Sequence, residues 1–142
     1  MAKIRETNKP PADQFYFDDF YVDLSEHPLE IVGAWALILC KLWKSDTKGK
    51  LTKNLAQWGR ILGSDSTKAL SILIYIQSEK IGDISGSLTE SNTDITQKIT
   101  VLCRRQVRDE KKRENNRIRQ RRYYDSHKDM REHILKEAIR AA

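Results

Sequence analysis

The stretch from Leu29 to Trp43, LEIVGAWALILCKLW, constrains this chain most. Pro28 stands just before it, with a fixed φ and no N–H to waste, which suits a first helical position. Ile31, Val32, Trp35, Ile38, Leu39, Leu42 and Trp43 leave almost no polar face, so the stretch predicts a central helix covered on several sides. Glu30 and Lys41 interrupt it, and it is too short to span a bilayer. A chain of 142 residues, 39% apolar, suits one domain of about 100 residues plus an appendage.

The flanks fill in that domain. Residues 1–14 are polar, with Pro10-Pro11, and read as a loose lead-in. FYFDDFYVDL follows, an aromatic segment expected to pack as an extended stretch or irregular turn. KSDTKGK is a loop. In LTKNLAQWGRILGSD, Thr52 is a good N-cap, while Leu55, Trp58, Gly59 and Leu62 trace the stripe of a short helix. Gly63 suits its left-handed C-terminal position, and Ser64-Asp65 caps a third helix over about 66–79, with Leu70, Leu73 and Ile74 inward. Two helices joined by a tight glycine turn predict a helix-turn-helix. IGDIS then reads as a strand and GSLTESNTD as a turn-rich connection. ITQKITVLC alternates, with Ile95, Ile99, Val101 and Cys103 on one face and Thr96, Lys98 and Thr100 on the other. The fold class is therefore mainly α with a small β-hairpin: a winged helix-turn-helix over 15–103, followed by a long basic helix over 104–142 that contains no Gly or Pro.

Charge separates these parts. The net charge is +6, yet residues 1–103 carry 12 basic and 13 acidic groups, against 14 and 7 in residues 104–142. RRQVRDEKKRENNRIRQRR, residues 104–122, holds ten bases and three acids. Such asymmetry favours a polyanionic partner. Ion pairs such as Arg105–Asp109, Asp109–Arg113 and Glu114–Arg117 would lace the helix, but three acids do not neutralise ten bases. A basic leucine zipper needs apolar residues every seventh position, and Ile134, Leu135 and Ile139 are too few and wrongly spaced. A membrane-surface helix needs a continuous apolar face, which Ile118 and Tyr123 do not make.

From FYFDDFYVD through HPLEIVGAWALILCKLW to LTKNLAQWGRILGSD, the chain resembles the N-terminal domains of phage and prophage replication proteins of the replisome-organiser or replication-initiator type. The resemblance covers about residues 15–105. Glu30, Gly33, Ala34, Leu39 and Trp43 fall on the family's central-helix pattern, and Leu55, Ala56, Leu62, Gly63 and Arg104-Arg105 on its later segments. It implies a winged-helix DNA-binding domain acting in phage DNA replication, with a helicase or helicase loader as possible protein partners. The chain departs from the family in its wing, which is longer and carries Glu90 and Asp94 at the tip.

Two groups of candidate nucleic-acid contacts follow. One is the outward face of the third helix: Thr67, Lys68, Ser71 and Tyr75, for groove contact. The other supplies phosphate attraction: Arg104, Arg105, Arg108, Lys111, Lys112, Arg113, Arg117, Arg119, Arg121 and Arg122. Arg-rich segments also bind RNA, so an antitermination-like regulator is an alternative, as is a protein-interaction module docking a replication partner. Tyr75, Tyr123 and Tyr124 either stack on splayed bases or cover local apolar surface.

The expectation is a non-enzymatic protein without metal or cofactor. His27, His127 and His133 fall in no HExxH pattern, and no GxxxxGK[ST] or GxGxxG cradles a phosphate. Trp35, Trp43 and Trp58 read as core. Cys40 and Cys103 lack a CxxC partner and read as buried, reduced thiols, which with the absence of an apolar leader predicts a cytoplasmic protein without a membrane partner.

Overall fold

A computed structural model describes residues 15–141, so the expected lead-in over 1–14 lies outside the described residues. The element order is α1 (Phe17–Leu24), α2 (Leu29–Trp43), β1 (Lys50–Asn54), α3 (Leu55–Leu62), α4 (Ser66–Ser78), β2 (Asp83–Ser85), β3 (Lys98–Leu102) and α5 (Arg104–Ala141). The protein is mainly helical, with a small antiparallel sheet and a long C-terminal helix. The sheet has three strands in the order β1-β3-β2, where the sequence suggested a two-stranded hairpin.

The additional strand explains itself at Thr52. That residue was expected to cap a helix; it lies instead in β1, opposite Thr100, with the two hydroxyls 2.7 Å apart. The N-cap of α3 is Asn54, whose side chain accepts from the Gln57 N–H at 2.8 Å while Gln57 Oε1 accepts from the Asn54 N–H at 3.0 Å. A capping box needs Glu or Gln three residues after the cap, and Gln57 provides it for Asn54 alone. Gly63 ends α3 with φ of 63°, and Asp65 caps α4 by accepting from the Lys68 N–H at 2.7 Å.

FYFDDFYVDL also differs from expectation. Phe17–Leu24 is helical, with Asp18 and Asp19 in its first turn, where the helix dipole favours acids. Leu24 is buried and Phe20 packs on the core, but Phe17, Tyr21 and Val22 face solvent.

The core joins Leu24, Ile31, Trp35, Ile38 and Leu42 to Leu55 and Trp58, to Leu70, Leu73 and Ile76, and to Ile99 and Val101 of the middle strand. The α2 span matches its expected range, but the helix is not covered all round: Leu29 is 87% and Leu37 50% exposed. Ile74, expected inward, is only partly buried, while Ala69 and Ile72 join Leu70 and Leu73 in the core. Cys40 is exposed and Cys103 half-buried, so the expectation of two buried thiols fails at Cys40.

Two compact units divide between Val107 and Arg108, a little beyond the sequence boundary at Cys103. The first turn of α5 belongs to the first unit. There Gln106 is 5% exposed and its Nε2 donates to the Leu39 carbonyl at 2.9 Å. The Cys103 N–H donates to the Gly49 carbonyl at 2.8 Å. Gly49 has φ of 84°, and a Cβ there would come within 2.9 Å of Val107, so this turn requires glycine.

Candidate nucleic-acid interface

In the first unit, α3 and α4 meet across the turn Gly63–Asp65. With Leu70 and Leu73 inward, Thr67, Lys68 and Ser71 are exposed and Tyr75 is half-buried. Two of these four are engaged by Glu30, in the first turn of α2, and by His27, just before it. Lys68 Nζ lies 2.6 Å from a Glu30 carboxylate oxygen, and this hydrogen bond and charge raise the lysine pKa above its ordinary value. The Tyr75 hydroxyl is hydrogen bonded to His27 Nδ1 at 2.8 Å, the two rings edge to face. The single cation of this face is therefore already matched by an acid, and its tyrosine is tethered. Sequence reasoning missed Glu30 and His27 as neighbours because they are 38 and 48 residues away in the chain.

The connection between β2 and β3 carries Glu90 and Asp94, both exposed. Asp94 accepts from the Thr96 hydroxyl at 2.7 Å and its N–H at 2.9 Å, which lowers its pKa from the usual carboxylate value. The Leu55 and Ala56 N–H groups donate to the Gln97 and Ile95 carbonyls, tying the end of this connection to α3.

Arg104 and Arg105, the first two members of the basic run, are also committed within the first unit. Arg104 Nε pairs with Asp83 of β2. Arg105 lies 3.3 Å from Asp19 and over the Tyr16 ring at 4.9 Å.

In the second unit the helix sorts its charges. At 3.6 residues per turn, Arg108, Lys111, Lys112, Asn115, Arg119 and Arg122 fall on one face about a third of a turn wide. All six are exposed, and among the described residues none of the five cations has an ion-pair partner. The acids Asp109, Glu110 and Glu114 lie on the other side. Arg117 lies among them, 3.3 Å from both Glu110 and Glu114, which realises the expected Glu114–Arg117 pair. Arg113 and Arg121 also lie off the cationic stripe. Asn115 was missed, although the three- and four-residue spacing that places it on the stripe is legible in the sequence.

Arg108 to Arg122 spans about 21 Å of helix axis. Arginine forks and lysine ammonium groups on such a face suit phosphate oxygens, and the duplex major groove, about 12 Å wide, admits an α-helix. Tyr123 and Tyr124 are exposed just beyond the stripe, with Tyr123 stacked on His127 at 3.8 Å. Among the described residues there is no cluster of His, Cys, Asp or Glu that could hold a metal ion, and no helix is long and apolar enough to cross a membrane. Compared with protein-family models, with curated proteins and with solved structures, the chain matches none.

Proposed function

We propose that this protein is a non-enzymatic DNA-binding protein whose affinity comes from the stripe Arg108, Lys111, Lys112, Arg119 and Arg122. One observation carries the reading: five cations with no ion-pair partner among the described residues share a helix face from which every acid of the run is absent. A solvated helix stabilised by ion pairs would intersperse its acids among its bases. On this reading residues 15–107 form a winged helix, supported by α3, the Gly63 turn, α4 and the adjoining strands. Thr67, Lys68, Ser71 and Tyr75 then add groove contact once Lys68 exchanges Glu30 for phosphate. The resemblance to phage replication proteins makes replication initiation or replisome organisation in the host cytoplasm the biological setting, with a helicase or its loader as protein partner.

A second reading has its own support. The engaged Lys68 and Tyr75, together with exposed Leu29 and Leu37 of α2, favour a first unit that docks a protein while the stripe alone holds nucleic acid.

Fluorescence anisotropy with labelled duplex DNA, and with structured RNA in parallel, tests the proposal. The full chain should bind duplex, and replacing the five stripe cations by Gln should abolish binding at physiological salt. Preference for RNA over any DNA would transfer the stripe to the RNA-binding alternative. No binding of either at low salt would sink both.

A further inference from the structure

Helices in proteins draw most of their stability from packing an amphipathic face. The second half of α5 has such a face, and no described part of the chain covers it: Tyr123, Met130 and Ile134 are 60%, 62% and 61% exposed. Tyr123, His127, Met130, Ile134, Ala138 and Ala141 follow one another at spacings of three and four, forming a continuous seam. Tyr124 and Leu135 flank it on one side, and Ile139 lies farther round the helix. The Tyr123 and His127 rings are stacked, and His127 Nδ1 lies 2.9 Å from the Tyr123 carbonyl, which lays both rings along the seam. The centres of this seam and of the cationic stripe lie about a quarter of a turn apart, and most of the stripe precedes the seam along the helix.

Charge decides what covers it. Residues 123–142 carry four bases and four acids, whereas residues 108–122 carry eight and three. The neutral polar face of 123–142 is unlike the Lys- and Arg-rich face by which surface helices hold anionic lipid. We propose that the occupant is a second copy of this chain, its helix laid antiparallel. In the register that places Tyr123 opposite the second copy's Ile134 and His127 opposite its Met130, these four residues pair reciprocally, while Ala138 and Ala141 meet its Arg119 and Asn116. Gln120, a neutral donor, then faces the second copy's Glu137. A parallel pair would set the two strongly basic segments side by side and Glu137 against its own copy, and like charges at such positions repel. The antiparallel pair keeps the basic segments at opposite ends.

This inference does not rest on nucleic-acid binding, and its test contains none. In sedimentation equilibrium of the full chain at about 100 µM and physiological salt, the mass should be twice that of one chain. Met130→Glu with Ile134→Glu should return it to one chain, while Arg121→Gln leaves it doubled. The near-UV signal of the three tryptophans, all outside α5, should be unchanged in each variant. For orientation, Cys40→Ser and Cys103→Ser remove the native thiols. Chains carrying Tyr123→Cys should then form a disulfide dimer with chains carrying Ile134→Cys, and neither variant should do so alone. A monomer at that concentration, a dimer that survives the double glutamate variant, or cross-linking of either single variant with itself overturns the proposal. So does a monomer whose seam instead binds anionic vesicles.

Discussion

Trp58 shows how one side chain joins two elements. It is fully buried, and its indole N–H donates to the Ile99 carbonyl at 3.0 Å, tying α3 to the middle strand. Trp58→Phe keeps most of the ring but loses this hydrogen bond, an expected cost of about 0.5–1.5 kcal/mol. Trp58→Ala removes the ring and should cost about 3–5 kcal/mol. Denaturant midpoints at equal m-value check both. Two glycines make a sharper contrast. A Cβ at Gly82 would come within 2.4 Å of the Trp35 ring, whereas one at Gly33, mid-helix and exposed, meets nothing within 4 Å. Gly82→Ala should destabilise, and Gly33→Ala should stabilise by about 0.5–1 kcal/mol. At this scale the apolar spacing made Trp35 and Trp58 legible as core. The indole's acceptor, the Glu30–Lys68 pair and the His27–Tyr75 bond were not legible, because each depends on which distant segments the fold brings together.

Elements were legible where local chemistry decides and obscure where packing does. Leu29–Trp43, the Gly63 turn and the Asp65 cap follow from residue types at fixed offsets. The Asn54 cap was also within reach, since Gln57 selects it over Thr52. Asn54→Ala should therefore cost about 1 kcal/mol, while Thr52→Ala should lose only a cross-strand pair, about 0.2–1 kcal/mol, as thermal melts of both variants would report. By contrast, hydropathy lists which residues of α2 are apolar, not how many neighbours it has. That is why Leu29 and Leu37 are exposed on a helix expected to be covered. The aromatic run before it fits a strand by propensity, yet Phe17–Leu24 is a helix that buries only Leu24 fully. On α4, Glu30→Gln frees Lys68, and duplex binding should tighten severalfold at low salt if this face enters a groove; unchanged anisotropy would place the face outside the contact.

For the molecule as a whole, charge is partitioned rather than spread. Near-neutral residues 1–103 precede a C-terminal third that holds more than the entire net charge. Composition revealed that partition, but not how the run is divided. Arg104 and Arg105 bind acids of the first unit, Arg117 binds Glu110 and Glu114, and five other cations align without ion-pair partners among the described residues. In the proposed function, nucleic-acid affinity depends on those five. Counterion release contributes a slope of about −0.9 per phosphate contact, so log affinity against log salt should fall with a slope of roughly −4.5. Affinity would then drop roughly 500-fold between 50 and 200 mM salt. Arg119→Gln with Arg122→Gln should reduce the slope by about 2, while Arg121→Gln, one position away but on the acidic side, should leave it nearly unchanged. Equal losses from the stripe pair and from Arg121→Gln would contradict the account.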